Sequence, residues 1–150
     1  MELNKLWLLT MACIAIAQSA TVAAELDELQ GKWELQFQQQ GRALRAVKII
    51  EGDLETVETY DGDKLVHRHV VKLESAETNG ITIIKYGEPE VTHGPRKGQK
   101  GQPGSFLSKR HGNKWYNIQG IETKSNAPVM VMEFVRVEGS PPEPNGPDKK

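Results

Sequence analysis

Two histidines, His67 and His69, have a type and spacing that could support metal chemistry. They lie two positions apart in an alternating run, so a β-strand would turn both imidazole rings to the apolar face that carries Val71. A stable zinc site needs three or four ligands, and His93 and His111 are distant in the sequence. We therefore predict no metal or cofactor. The two histidines are predicted to lie in the interior or at the rim, with at least one ring shielded from water and its pKa lowered by desolvation.

Catalytic patterns are missing from the rest of the sequence. It has no nucleophile elbow and no carboxylate pair that spacing would bring together, and its one cysteine is Cys13. The sequence therefore predicts a protein that is not an enzyme.

Positive charge is concentrated in one stretch. Between positions 91 and 121 there is no Asp or Glu, although the formal net charge of the whole chain is only −1. The stretch predicts either a surface for an anionic envelope polymer, an anionic ligand or an acidic partner, or a solvated edge that discourages sheet pairing. Nucleic acid is not favoured, and the Gly-rich segment 94–101 lacks the ending of a phosphate loop. The cations concerned are Arg96, Lys97, Lys100, Lys109, Arg110 and Lys114.

A second group of candidate residues is apolar. Met130, Met132 and Phe134 share one face of the last alternating run, and Leu35 and Phe37 share one face of the first. Flexible thioethers beside an aromatic ring suit an adaptable ligand pocket, and they suit an ordinary core equally well. These five residues are the predicted ligand contacts.

The elements that must position these residues are short runs of period two, divided by Gly, Asp and Asn turn signals. Most connections have hairpin length, which makes neighbouring strands antiparallel. Eight such strands can close into an up-and-down barrel, whose interior holds packed side chains or one small ligand. The predicted fold is therefore an all-β, eight-stranded antiparallel barrel, with strands at 32–38, 43–50, 54–60, 64–73, 81–86, 105–110, 114–121 and 128–137.

One connection, residues 87–104, is much longer than the others. It holds five Gly and three Pro and almost no apolar side chains. This composition predicts a surface loop that is either functional or mobile.

Residues 1–24 differ in composition from the rest of the chain. Lys5 precedes about 12 apolar residues, too few for the roughly 20 that span a bilayer, and small residues end at Ala24. The segment predicts a cleaved signal peptide and export to the periplasm or the extracellular space; lipid attachment at Cys13 is the alternative. The mature domain would then cover 25–138 without a disulfide or a transmembrane span, and Pro-rich 139–150 would form a disordered tail.

Three short motifs resemble a known family. Gly31-Lys32-Trp33 after a helical turn, with Arg136 near the end of the last strand, is similar to the lipocalin and calycin pattern. In segments 29–34, 93–98 and 131–136, the mature chain also resembles small lipocalin-like domains of unknown function from planctomycete bacteria. The resemblance implies that Trp33 closes one end of the barrel and that Arg136 lies across its ring in a cation–π contact.

Two functional hypotheses follow from these observations. The first is an exported lipocalin-like module that binds a small apolar or amphipathic molecule inside the barrel. The alternative is a barrel filled by its own side chains that acts through its basic loop and hairpin on an anionic partner in the cell envelope.

Overall fold

The structure, a computed structural model, describes residues 26–121 and 128–139. The predicted signal peptide and residues 140–150 of the predicted tail lie outside these described residues.

Nine antiparallel strands follow a single helical turn at residues 26–29. Alternation of apolar and polar side chains explains most of them, because one face of each strand packs inward and the other meets water. Their bounds are β1 Gly31–Gln39, β2 Arg42–Glu51, β3 Leu54–Asp61, β4 Lys64–Thr78, β5 Ile81–Tyr86, β6 Glu90–His93, β7 Gly104–His111, β8 Lys114–Gln119 and β9 Met130–Arg136.

Eight of these strands form a closed up-and-down barrel. The hydrogen-bonded order is β3-β2-β1-β9-β8-β7-β5-β4, and pairing of β3 with β4 closes the ring. The remaining strand, β6, lies against β4. The prediction of an all-β, eight-stranded antiparallel barrel is therefore confirmed.

The two ends of the barrel differ. At the closed end, the helical turn 26–29 packs over Trp33, which is paired in register with Arg136. At the open end lie the β1–β2 turn at 40–41 and the β3–β4 turn at 62–63. The buried core lies between the ends and is richest toward the closed one; its fully buried apolar members include Trp33, Trp115, Phe134, Leu29, Ile50, Leu73 and Ile84.

The segment 87–104 departs from the prediction of a plain surface loop, because it contains β6. This strand pairs with β4 at residues 68–70, and Val91 in its middle is buried. The physical reason is an open edge: β5 pairs with β4 only from Leu73 onward, which leaves the preceding part of β4 free to accept another strand. Gly94 ends β6 at φ 102°, where an added Cβ would lie 2.5 Å from the Val66 carbonyl oxygen.

Candidate functional site

A cavity of about 560 Å³ occupies the open half of the barrel. Phe134, at its inner end, is fully buried, whereas Met130 is half exposed and lies at the rim. Gln102 and Gln119 add polar groups to the lining. All five predicted ligand contacts line this one cavity: Leu35, Phe37, Met130, Met132 and Phe134.

The closed end of the barrel is sealed by the predicted pair. The Arg136 guanidinium carbon lies 4.3 Å from the centroid of the Trp33 ring. The same guanidinium donates hydrogen bonds to the carbonyl oxygens of Gln30 (2.8 Å) and Glu28 (2.9 Å), so it ties β9 to the helical turn. Trp33 donates from Nε1 to the Leu29 carbonyl oxygen at 2.8 Å. The expected contact between Arg136 and Trp33 is therefore present, and among the described residues the cavity lies toward the opposite end of the barrel.

The cavity contains an ion pair that was not predicted from the sequence. Lys48 Nζ lies 2.5 Å from Glu55 Oε1, and the two side chains are only 9% and 3% exposed. The ammonium also faces three aromatic rings, at 5.0 Å from the Phe106 centroid, 4.8 Å from Trp115 and 5.1 Å from Phe134. Ring faces attract cations, so the ammonium is held from both sides.

A signal for this pair is present in the sequence. Ala46, Lys48 and Ile50 occupy successive inward positions of β2, so a charge interrupts an otherwise apolar face. The two-residue turn after Glu51 fixes the register with β3 and places Glu55 opposite Ile50. Opposite charges on neighbouring inward positions therefore predict a buried pair.

His67 and His69 lie side by side on β4. Their ring nitrogens Nε2 and Nδ1 are 3.1 Å apart, and His69 lines the cavity near Glu55. Burial is the main cause that lowers the pKa of both rings below 6.5. The positive charge of Arg96 lowers the pKa of both rings further. Within residues 26–121 and 128–139, no three His, Cys, Asp or Glu side chains come close enough to hold a metal ion.

These lowered pKa values predict that acid destabilises the fold. The unfolded histidines have ordinary pKa values, so the unfolded chain binds more protons and the free energy of unfolding falls as the pH drops through about 6.5. The loss levels off only below the lower pKa values of the folded state. Denaturant unfolding at a series of pH values should show this slope, and His67→Gln with His69→Gln should flatten it. His111→Gln, at an exposed position at the end of β7, is the control. An unchanged slope in the variant with His67→Gln and His69→Gln would contradict the assignment of the slope to these two histidines.

The six basic side chains do not share one surface. The loop cations follow β6 at the open end, whereas Arg110 contacts Glu28 of the helical turn at the closed end. Three of the six have carboxylate partners: Lys100 with Glu88 (3.4 Å), Arg110 with Glu28 (3.3 Å) and Lys114 with Glu133 (2.7 Å). The expectation of one continuous basic surface from loop to hairpin is wrong, because β7 runs the height of the barrel between the two groups.

Comparison with protein-family models, curated proteins and solved structures finds no match for this chain. In the part of the chain that the structure describes, no helix has the length and apolar character needed to span a bilayer.

Proposed function

We propose that this protein is a binding module that holds a small apolar or amphipathic molecule inside its barrel. The observation that carries the proposal is the cavity of about 560 Å³, which has mostly apolar walls and, among the described residues, is sealed at the end where Arg136 lies on Trp33. Pockets for small molecules commonly measure about 300–1,000 Å³ and combine apolar walls with a few placed polar groups. The cavity fits this description in both respects.

The rim supports ligand entry. Met130 is 51% exposed although it points to the cavity side of β9, and Met132 follows it inward. Methionine side chains adapt their shape to a guest at little energetic cost. An exposed apolar residue at a cavity mouth loses water when a ligand arrives, which favours binding.

The compartment is part of the same proposal. The composition of residues 1–24 supports export, and the lipocalin-like motifs at Trp33 and Arg136 support a carrier or sensor of a small molecule outside the cytoplasm. The alternative, a basic surface that binds an anionic partner, has less support because its cations lie at opposite ends and three of them are paired.

The proposal predicts saturable binding of the neutral fluorescent dye Nile red to the purified mature protein. Ala46→Phe should weaken this binding at least tenfold, since Ala46 lines the cavity and the added ring would occupy ligand volume. Ala43→Phe is the matched control, because Ala43 is exposed on the same strand. Fluorescence titration measures both variants. Absence of saturable dye binding, or equal weakening by the two variants, would refute the binding function; salt-sensitive retention on an anionic polymer would then favour the alternative.

A further inference from the structure

The Lys48–Glu55 pair is costly where it stands. Taking two charges out of water costs free energy, and apolar residues of similar volume often serve the fold equally well or better. Both side chains nevertheless line the mostly apolar cavity, and their charged atoms lie 2.5 Å apart. Such a placement gives the inner end of the cavity a fixed polar feature.

We infer that this pair selects ligands with an uncharged hydroxyl head over ligands with a charged head. The inference rests on the proposed binding function and names the ligand class: a neutral amphipathic alcohol. Its hydroxyl group would lie against the pair, and its hydrocarbon chain would extend along Leu35 and Met132 toward the rim.

Hydrogen-bonding capacity favours the hydroxyl head. A hydroxyl group both donates and accepts, so it can donate to the Glu55 carboxylate and accept from the Lys48 ammonium. The ammonium has three donors and a carboxylate has about four acceptor sites, so both groups retain capacity after pairing with each other. A purely apolar ligand would leave this capacity unused.

Charge disfavours the two alternatives. The pair is neutral as a whole, so a carboxylate head would bring a second negative charge beside Glu55, and an ammonium head a second positive charge beside Lys48. Burial strengthens such repulsion because little water screens it. His69, whose pKa is lowered by burial, adds no positive charge at neutral pH to offset a carboxylate.

The aromatic rings around Lys48 determine the direction in which the ligand enters. Lys48 lies against Phe106, Trp115 and Phe134, which are all buried, whereas the rim carries the half-exposed Met130. The polar feature is therefore at the inner end, and a ligand satisfies it by entering head first.

Competition against bound Nile red tests the inference in the wild-type protein at neutral pH. Three competitors share one chain length and differ in the head: decanol, decanoate and decylammonium. We expect decanol to bind at least tenfold more tightly than either charged analogue. Equal affinities, or a preference for a charged head, would overturn the inference while dye binding leaves the proposed function intact.

A charge variant gives a second, independent readout. Glu55→Gln keeps the shape and leaves the Lys48 charge without its partner, so decanoate should become the preferred competitor. Glu58→Gln is the matched control: Glu58 lies on the opposite face of β3, where Tyr60 and Arg68 donate to its carboxylate, and the wild-type order should persist. Should Glu55→Gln fail to fold, Lys48→Met with Glu55→Leu removes both charges and the hydrogen-bonding groups that face the hydroxyl head, so decanol should bind at least tenfold more weakly while Nile red still binds. The wild-type order of competitors in Glu55→Gln, or wild-type affinity for decanol in the double variant, would contradict the assigned role.

Discussion

Replacing Lys48 with methionine is expected to lower the free energy of unfolding by about 3–5 kcal/mol, the usual cost of breaking a buried ion pair by removing one partner. The variant keeps a side chain of similar length against Phe106, Trp115 and Phe134. The Glu55 carboxylate, which is 3% exposed, then remains in the interior without a counter-charge. Urea unfolding followed by tryptophan fluorescence measures the loss.

A second substitution separates the cost of an unpaired charge from the value of the pair. Lys48→Met with Glu55→Leu removes both charges, and we expect it to be close to wild type in stability or more stable, because apolar groups need no solvation. Lys114→Met is the surface control, since Lys114 pairs with Glu133 where both side chains are exposed and water screens the charges. If Lys48→Met alone were as stable as wild type, water or another group would have to compensate the buried negative charge of Glu55.

Alternation allowed the barrel to be predicted from sequence because each strand has one wet and one dry face. In β1 the inward positions Trp33, Leu35 and Phe37 are apolar and their neighbours are polar, which defines both the strand and its orientation. Two-residue turns such as that between β2 and β3 then fix the pairing register. The five predicted ligand contacts meet in one cavity for the same reason: inward positions near one end of adjacent strands lie close together.

Two features were not predicted, each for a physical reason. Strand β6 has one buried apolar residue, Val91, which is too little for a period, and its pairing depends on an edge of β4 that only the folded barrel reveals. The six basic residues are close in sequence, but β7 carries the chain from one end of the barrel to the other between them. Because the six residues are close along the chain, they were wrongly assigned to one surface.

The ion pair was missed for a different reason. A charged residue in an alternating run is easily assigned to the wet face, and only strict counting from Ala46 to Ile50 places Lys48 on the dry one. The same counting places Glu55 on the inward face of β3, two positions before Val57, which also lines the cavity. Functional side chains are often those that break the local pattern at the cost of stability.

Truncation of Trp33 to alanine is expected to destabilise the barrel by about 3–5 kcal/mol, as is typical for removing a large buried aromatic ring and leaving its cavity open. The ring is fully buried and packs edge-on against Trp115 at a centroid distance of 5.7 Å. Truncation also removes the hydrogen bond to the Leu29 carbonyl oxygen and the surface on which Arg136 lies. Without the ring, the helical turn would lose its hydrogen bond to Trp33, and Arg136 would lose the ring against which it packs. The closed end should therefore open.

Arg136→Lys tests the other half of the seal and should cost measurably less than Trp33→Ala. A lysine ammonium is a compact charge that cannot stack as a planar guanidinium does, nor keep both hydrogen bonds to the carbonyl oxygens of Gln30 and Glu28. Val135→Ala, at the exposed neighbouring position on β9, is the control and should change stability by no more than about 0.5 kcal/mol. Thermal and urea unfolding measure all three variants. If Arg136→Lys proved as harmful as Trp33→Ala, the hydrogen bonds to the helical turn, rather than the buried ring, would be the main attachment of the closed end.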